Sequence, residues 1–436
     1  MSTAQNSSLG SNRQSGWLER PPRLDGRMIV AAALFSCVVM ICLAGYGGVA
    51  VKAWRWLGVE SRSPGFVDAR SITGAWESVR MGRDPLYDNP GDPSGTILNY
   101  PRLWLLPSHL GLGVRHTVML ACCAVAAFWL SVFLVIGRLT PGEGWLYALL
   151  LCSPAAMLAV ERGNCDLIIF ALLACVVLLL PSRRPIAYGL LLLAGFLKLY
   201  PIFSLLVALR ERKRLAFITI SLVAVIFLAY VLFTLPDIRQ ISKSTPRPPF
   251  AAYGCLTFAY KIEDSLRFRG QHPGYLPWIF ALGLGMTVIV LAWSVLCGLR
   301  RCQPTTAPTR QMDAFRIGAS VYAGTFLLGS NFNYRFIFLL LTVPQLLNWI
   351  KDGHAPKRLA TGALWCVIAA MWTNWIALAG QLFRRLTVPF AALFSWALFA
   401  MLVMLLVATI PAWMSEMIKG RLPNCGQRAA AINAEP

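Results

Sequence analysis

Long apolar runs alternate with short polar stretches, many of them basic, along almost the whole chain. The runs lie near 28–51, 114–137, 145–160, 167–181, 186–198, 200–209, 215–235, 276–299, 315–331, 334–350, 360–380 and 388–412. Several reach the ~20 residues that an α-helix needs to cross a bilayer. In lipid every backbone polar group must be satisfied within the segment, so spanning segments of this kind are helices. The pattern therefore predicts an all-α polytopic membrane protein of about twelve membrane segments. Residues 1–27 read as a disordered basic tail, 28–412 as one membrane-embedded domain, and 413–436 as a second tail. The first run exceeds the about 7–15 residues of a signal-peptide core and reads as an uncleaved span.

Two of the runs are short. "SRRP" precedes Ile186 and "RERKR" follows Leu209, so a single crossing would put two basic clusters on opposite faces. A hairpin turning at "KLYP" (Lys198–Pro201) keeps both on one face. Short outer turns then carry only Arg162, Lys198, Arg335, Arg384 and Arg385, and the other short basic segments face the cytoplasm, as the orientation rule requires. Both termini are then cytoplasmic in a cell (inner) membrane. The long segments 52–113 and 235–275 then face outward.

Composition sharpens this picture. Of 436 residues 57% are hydrophobic and only 14% charged, where a soluble domain has about a quarter charged. The net charge of +21 sits in clusters between apolar runs, which fits membrane orientation and argues against a nucleic-acid partner. No inner segment is long enough for a nucleotide-hydrolysing domain, and GxxxxGK[ST] is absent. An activated substrate for chemistry outside would have to arrive on a lipid. Most of the 12 cysteines fall in apolar runs as small hydrophobes, while Cys165 and Cys255 both lie on the expected outer side, where a disulfide is conceivable. The four histidines form no ligand cluster, and no metal is expected.

Polar residues at outer span ends carry the candidate chemistry. In "GFVDARSITGAWESVRMGRDP", Ile72, Trp76 and Val79 recur at helical spacing, which predicts a short interfacial helix over 68–81. Pro85 stops it. Asp68 at its start is either a helix cap or a reactive carboxylate. "ERGNCD" places Glu161, Arg162, Asn164 and Asp166 at a span end, with Gly163 allowing a tight turn. Such a group is either interfacial or the floor of a polar pocket. Lys198 sits among apolar neighbours, where its ammonium needs an anionic partner such as a lipid phosphate. "NFNYRF" adds Asn333, Tyr334 and Arg335, and Arg335 either positions the turn or holds phosphate bidentately.

Taken in order, Asp68, "GRDPLYD", "NYP" (Asn99–Pro101), "ERGNCD" and "AGFLKLYP" resemble glycosyltransferase family 87 of the GT-C superfamily of integral-membrane glycosyltransferases. The match covers roughly the first half of the chain, with Arg102 where a second proline is common. The resemblance implies a GT-C-type bundle and an inverting transfer of a sugar, typically mannose. The donor would be a polyprenyl-phosphate sugar and the acceptor a glycolipid or glycan outside the cell. It implies Asp68 as the base. Glu161, Asn164, Asp166, Asn333 and Tyr334 would then meet sugar or acceptor, and Arg162, Lys198, Tyr200 and Arg335 the donor phosphate, with no cofactor. A sugar phosphate has a good leaving group, so one base suffices where a hydrolase uses two carboxylates. A transporter or lipid flippase is the rival reading. It would favour inverted repeats with paired broken helices, and the sequence has one clear broken pair, at 186–209.

Overall fold

The structure, a computed structural model, describes residues 25–419 apart from 62, 246–251, 272, 302–307, 354–355 and 379–380; for 374–378, 381–389 and 419 it describes the backbone alone. The tails expected at 1–27 and 413–436 therefore lie largely outside the described residues, as do the side chains of Arg384 and Arg385. Ala412–Lys419, at the start of the second tail, is helical.

Each of the twelve apolar runs is helical over most of its described residues. Among the described residues five helices are long and apolar enough to cross a bilayer: Gly26–Tyr46, Val114–Ile136, Lys213–Phe233, Leu276–Arg300 and Phe390–Ala408. Pro141–Leu151 and Pro154–Arg162, bent by 53° at a short break, make a sixth if they form one span. The chain is thus an all-helical protein with five to six candidate membrane spans among the described residues, against the twelve segments read from hydropathy. The difference lies in short elements such as Asp166–Leu179, Arg184–Leu197 and the 3-10 segment Tyr200–Arg210, which are apolar but not long enough to cross alone.

Local chemistry explains the breaks. The first run was expected to continue to Val51, but its helix stops at Tyr46 because Gly47 and Gly48, the latter at φ +69°, release the backbone. A separate helix, Ala50–Trp56, follows. The bent pair divides at Ser153-Pro154, where the proline cannot donate to the preceding turn and the Ser153 hydroxyl caps Ala156 N at 3.3 Å.

Contacts sort the polar segments onto two ends of the bundle. At one end Gly26 N donates to Leu139 O at 2.9 Å, Lys351 pairs with Glu143 at 2.6 Å, and Arg210 pairs with Asp313 at 2.5 Å. Arg184 reaches Glu211 at 3.1 Å, and Tyr188 donates to the same carboxylate. Arg184 begins one short segment and Glu211 follows the other, so the chain does turn back at "KLYP". The other end gathers the long loops. Ala252–Tyr253 pairs antiparallel with Asn331–Phe332, Ala252 opposite Phe332 and Tyr253 opposite Asn331. Arg102 bridges Asp84 and Asp237, each at 2.8 Å, and so ties loop 52–113 to loop 235–275. Between the two ends lies one large apolar core, in which Phe170 packs edge-on against Phe128 at 4.9 Å.

Candidate functional site

The site is built where the helix of the 52–113 loop docks on the "ERGNCD" turn. That helix runs Val67–Arg80, within a residue of the expected bounds, and Gly82 at φ +73° follows its end. It is not an interfacial helix with one wet face, because Arg70, Ser71, Thr73, Gly74 and Ser78 are buried along with Ile72 and Trp76. Arg70 is held by Asp92 at 3.6 Å and by Pro64 O at 2.9 Å. The loop folds back over the helix and covers its polar side.

Asp68 is not the helix cap. Phe66 occupies that position in the left-handed region (φ 57°), and its N–H donates to Glu161 O at 3.0 Å. Asp68 falls in the first turn, and Asn164 Nδ2 donates to its Oδ2 at 2.5 Å. Gly163 makes this docking possible. It ends the Pro154–Arg162 helix at φ +56°, and a Cβ there would stand 2.9 Å from Ala121 Cβ and 3.1 Å from Ala69 Cβ. A glycine is required twice over, for conformation and for space.

The remaining residues converge on Lys198. The Arg184–Leu197 helix ends just before it, and its extended backbone (φ −159°) turns the ammonium inward. Lys198 Nζ lies 2.5 Å from Asp166 Oδ1, 3.2 Å from Cys165 Sγ and 3.5 Å from Asn164 Oδ1. Asp166 Oδ2 faces Arg335 Nε at 3.6 Å. The Arg335 guanidinium lies 4.6 Å from the Tyr200 ring centre and is held by Asn331 Oδ1. Tyr100 and Tyr334 complete the aromatic surround, their ring centres 5.1 and 6.0 Å from Lys198 Nζ. Glu161 is buried and meets Arg162 at 3.3 Å. Trp76 Nε1 donates to Trp104 O at 2.6 Å, and Trp104 Nε1 donates to Leu197 O at 2.9 Å. This relay fixes the Lys198 turn relative to the Asp68 helix.

The structure therefore brings Asp68, Asn164, Asp166, Lys198, Tyr200, Tyr334 and Arg335 into one cluster, with Glu161 and Arg162 on its Asp68 side. Buried Asn333 is near in sequence, and its Oδ1 has no hydrogen-bond partner among the described residues. Two assignments shift. Asn164 Oδ1 already accepts from Asp166 N at 2.8 Å, and both Asp166 oxygens face cations, so these two residues hold the cluster together before they could receive a sugar hydroxyl. Tyr100, Cys165 and Asn331 are members that the sequence reading did not assign. Tyr100 lies in the quoted "NYP" and Cys165 inside "ERGNCD", so the signal was present. Cys165 and Cys255 are both free thiols.

Electrostatically the cluster sets Arg162, Lys198 and Arg335 against Asp68, Glu161 and Asp166. Burial raises the Asp68 carboxyl above its ordinary 3.8, opposed by Arg162, by the Asn164 hydrogen bond and by Lys198, and reinforced by Asp166. A carboxylate whose affinity for protons is raised, with one oxygen held and part of its surface open, suits proton abstraction. Lys198 and Arg335 suit an anion that replaces Asp166. No group of three or more His, Cys, Asp or Glu side chains able to hold a metal occurs among the described residues. Compared with family models, curated proteins and solved structures, the chain finds no match.

Proposed function

We propose that this protein is an inverting membrane glycosyltransferase of GT-C type with about twelve membrane segments. It would transfer a sugar, mannose by the resemblance, from a polyprenyl-phosphate donor to a lipid or glycan acceptor on the outer side. The observation that carries this reading is the Asn164 side chain, whose Nδ2 holds Asp68 while its Oδ1 faces Lys198. Planar amide geometry then keeps base and cation within roughly 8 Å.

In this mechanism Asp68 takes the proton of an acceptor hydroxyl as its oxygen attacks the anomeric carbon. The bond from that carbon to the phosphate oxygen breaks, and the electron pair leaves with polyprenyl phosphate. Lys198 and Arg335, with Arg162 nearer the base, stabilise the charge that grows on the leaving group. Tyr200, Tyr100 and Tyr334 hold the cations in a dry aromatic surround, where each charge counts for more than in water. The reading is tested with purified protein in detergent, radiolabelled polyprenyl-phosphate mannose, and lipid or glycan acceptors separated afterwards. Transfer that requires Asp68 supports it.

A second reading, a lipid-linked sugar flippase, gains one observation. Besides Tyr200–Arg210, a second short 3-10 segment, Asn333–Leu341, starts at the same cluster in the second half of the chain. Translocation of a fluorescent polyprenyl-phosphate sugar across proteoliposomes, without formation of any product, would favour it.

A further inference from the structure

The end of the bundle opposite Asp68 holds a cavity of about 900 Å³ that the proposed chemistry does not use. Asp25, Arg27, Arg138, Glu143 and Lys351 line it, together with Tyr147, Gln311 and Asn348. Two of the three cations are neutralised: Arg27 pairs with Asp25 at 2.8 Å, and Lys351 with Glu143 at 2.6 Å. Arg138 is exposed and makes no ion pair among the described residues, so the wall keeps one uncompensated positive charge.

An independent feature points to a ligand. Tyr147 is 1% exposed, yet its hydroxyl has no hydrogen-bond partner among the described residues. Buried hydroxyls are normally satisfied, and an orphan on a cavity wall calls for an acceptor from outside the protein. The volume lies at the upper end of the range of small-molecule sites.

We propose that this cavity binds the phosphodiester headgroup of an anionic membrane lipid. Arg138 meets the two non-bridging oxygens bidentately, and Tyr147 donates its hydroxyl. Gln311 and Asn348 offer amides to headgroup hydroxyls. A single negative charge matches the single uncompensated cation. A lipid is favoured over free phosphate because the same wall carries Val135, Ile136, Leu139 and Leu347. Leu134 and Trp145, neighbours in the chain of lining residues, expose apolar side chains. Basic pockets between helices at the membrane face are established headgroup sites in other proteins.

The test is isothermal titration of the full-length protein in neutral detergent with dioctanoyl-phosphatidylglycerol, dioctanoyl-phosphatidylcholine and inorganic phosphate. The glycerol lipid should bind saturably, and the choline lipid and phosphate at least tenfold more weakly. Arg138→Ala should weaken binding about tenfold or more. Tyr147→Phe removes one oxygen and should weaken it a few-fold, with the thermal unfolding midpoint unmoved. Arg138 is exposed, so replacing it leaves packing intact. Equal binding of the two lipids, or undiminished binding by Arg138→Ala, overturns the proposal. Inorganic phosphate binding as tightly as the glycerol lipid also overturns it, in favour of a free-phosphate site.

Discussion

Asn164 donates its side-chain N–H to Asp68 Oδ2 at 2.5 Å across 96 residues of sequence. The same side chain accepts from the backbone of Asp166 and faces the Lys198 ammonium. One amide thus joins the Val67–Arg80 helix, the "ERGNCD" turn and the "KLYP" turn, and each of the following experiments loads a different part of that junction.

Asp68→Asn keeps the shape of the side chain and removes its basicity. With the cap position held by Phe66, no helix cap is lost, and the variant should insert and unfold as the wild type does. Sugar transfer should fall by about 10²–10⁴. Near wild-type transfer would remove Asp68 from the mechanism and move attention to Glu161.

The pH profile reads the same residue. Because burial raises the Asp68 carboxyl above 3.8, its basic form is lost on acidification earlier than for an exposed aspartate. Transfer should therefore decline on the acid side with a midpoint above that value. The Asn164 hydrogen bond stabilises the carboxylate, so Asn164→Ala should shift the acid limb further up. An acid limb that moves down, or does not move, contradicts the assigned geometry.

Lys198 and Asp166 form a buried pair, and Arg335 still faces Asp166 when Lys198 is removed. Lys198→Ala should abolish donor binding and cost less stability than the about 3–5 kcal/mol of a fully stranded buried charge. Adding Asp166→Asn to that variant takes the carboxylate from Arg335, so neither the unfolding midpoint nor donor binding should recover. Lys198→Arg should recover binding in part, the guanidinium differing in shape. Recovery of donor binding in the double variant would show that Lys198 serves Asp166 alone.

Gly163→Ala introduces a methyl group in the left-handed region, 2.9 Å from Ala121 Cβ. The conformational part alone costs roughly 1–2 kcal/mol. The methyl also presses on Ala69, so it moves the Asp68 helix, and transfer should fall more than stability does. Full activity with lowered stability would show that the docking tolerates a shift.

The turn at "KLYP" is tested from the far end. Arg184 and Glu211 meet at 3.1 Å, so residues just outside that pair share one face. In a chain freed of native cysteines, Ser182→Cys and Lys213→Cys should both resist an impermeant thiol reagent in intact cells. Labelling of either one places that face outside.

By itself the sequence determined the class of the protein and where most helices lie. Hydropathy is a property of consecutive residues, and a segment without water must satisfy its own backbone, so each apolar run became helical. The Val67–Arg80 helix was legible from Ile72, Trp76 and Val79, and its end from Gly82 to Pro85. The turn at Gly163 was legible too, because only glycine takes that backbone cheaply. Clusters of arginine and lysine foretold that "SRRP" and "RERKR" would share one face, and Arg184 meets Glu211 there. Tertiary structure alone decided how the polar residues pair. Whether Asp68 caps a helix or faces Asn164 depends on how Phe66 meets Glu161, a contact between segments far apart in sequence. Asp166 looked like a hydroxyl acceptor until Lys198 and Arg335 came to its two oxygens. Likewise, five or six helices among the described residues are long enough to cross alone, because where an apolar run breaks and bends depends on glycine, proline and packing rather than on hydropathy.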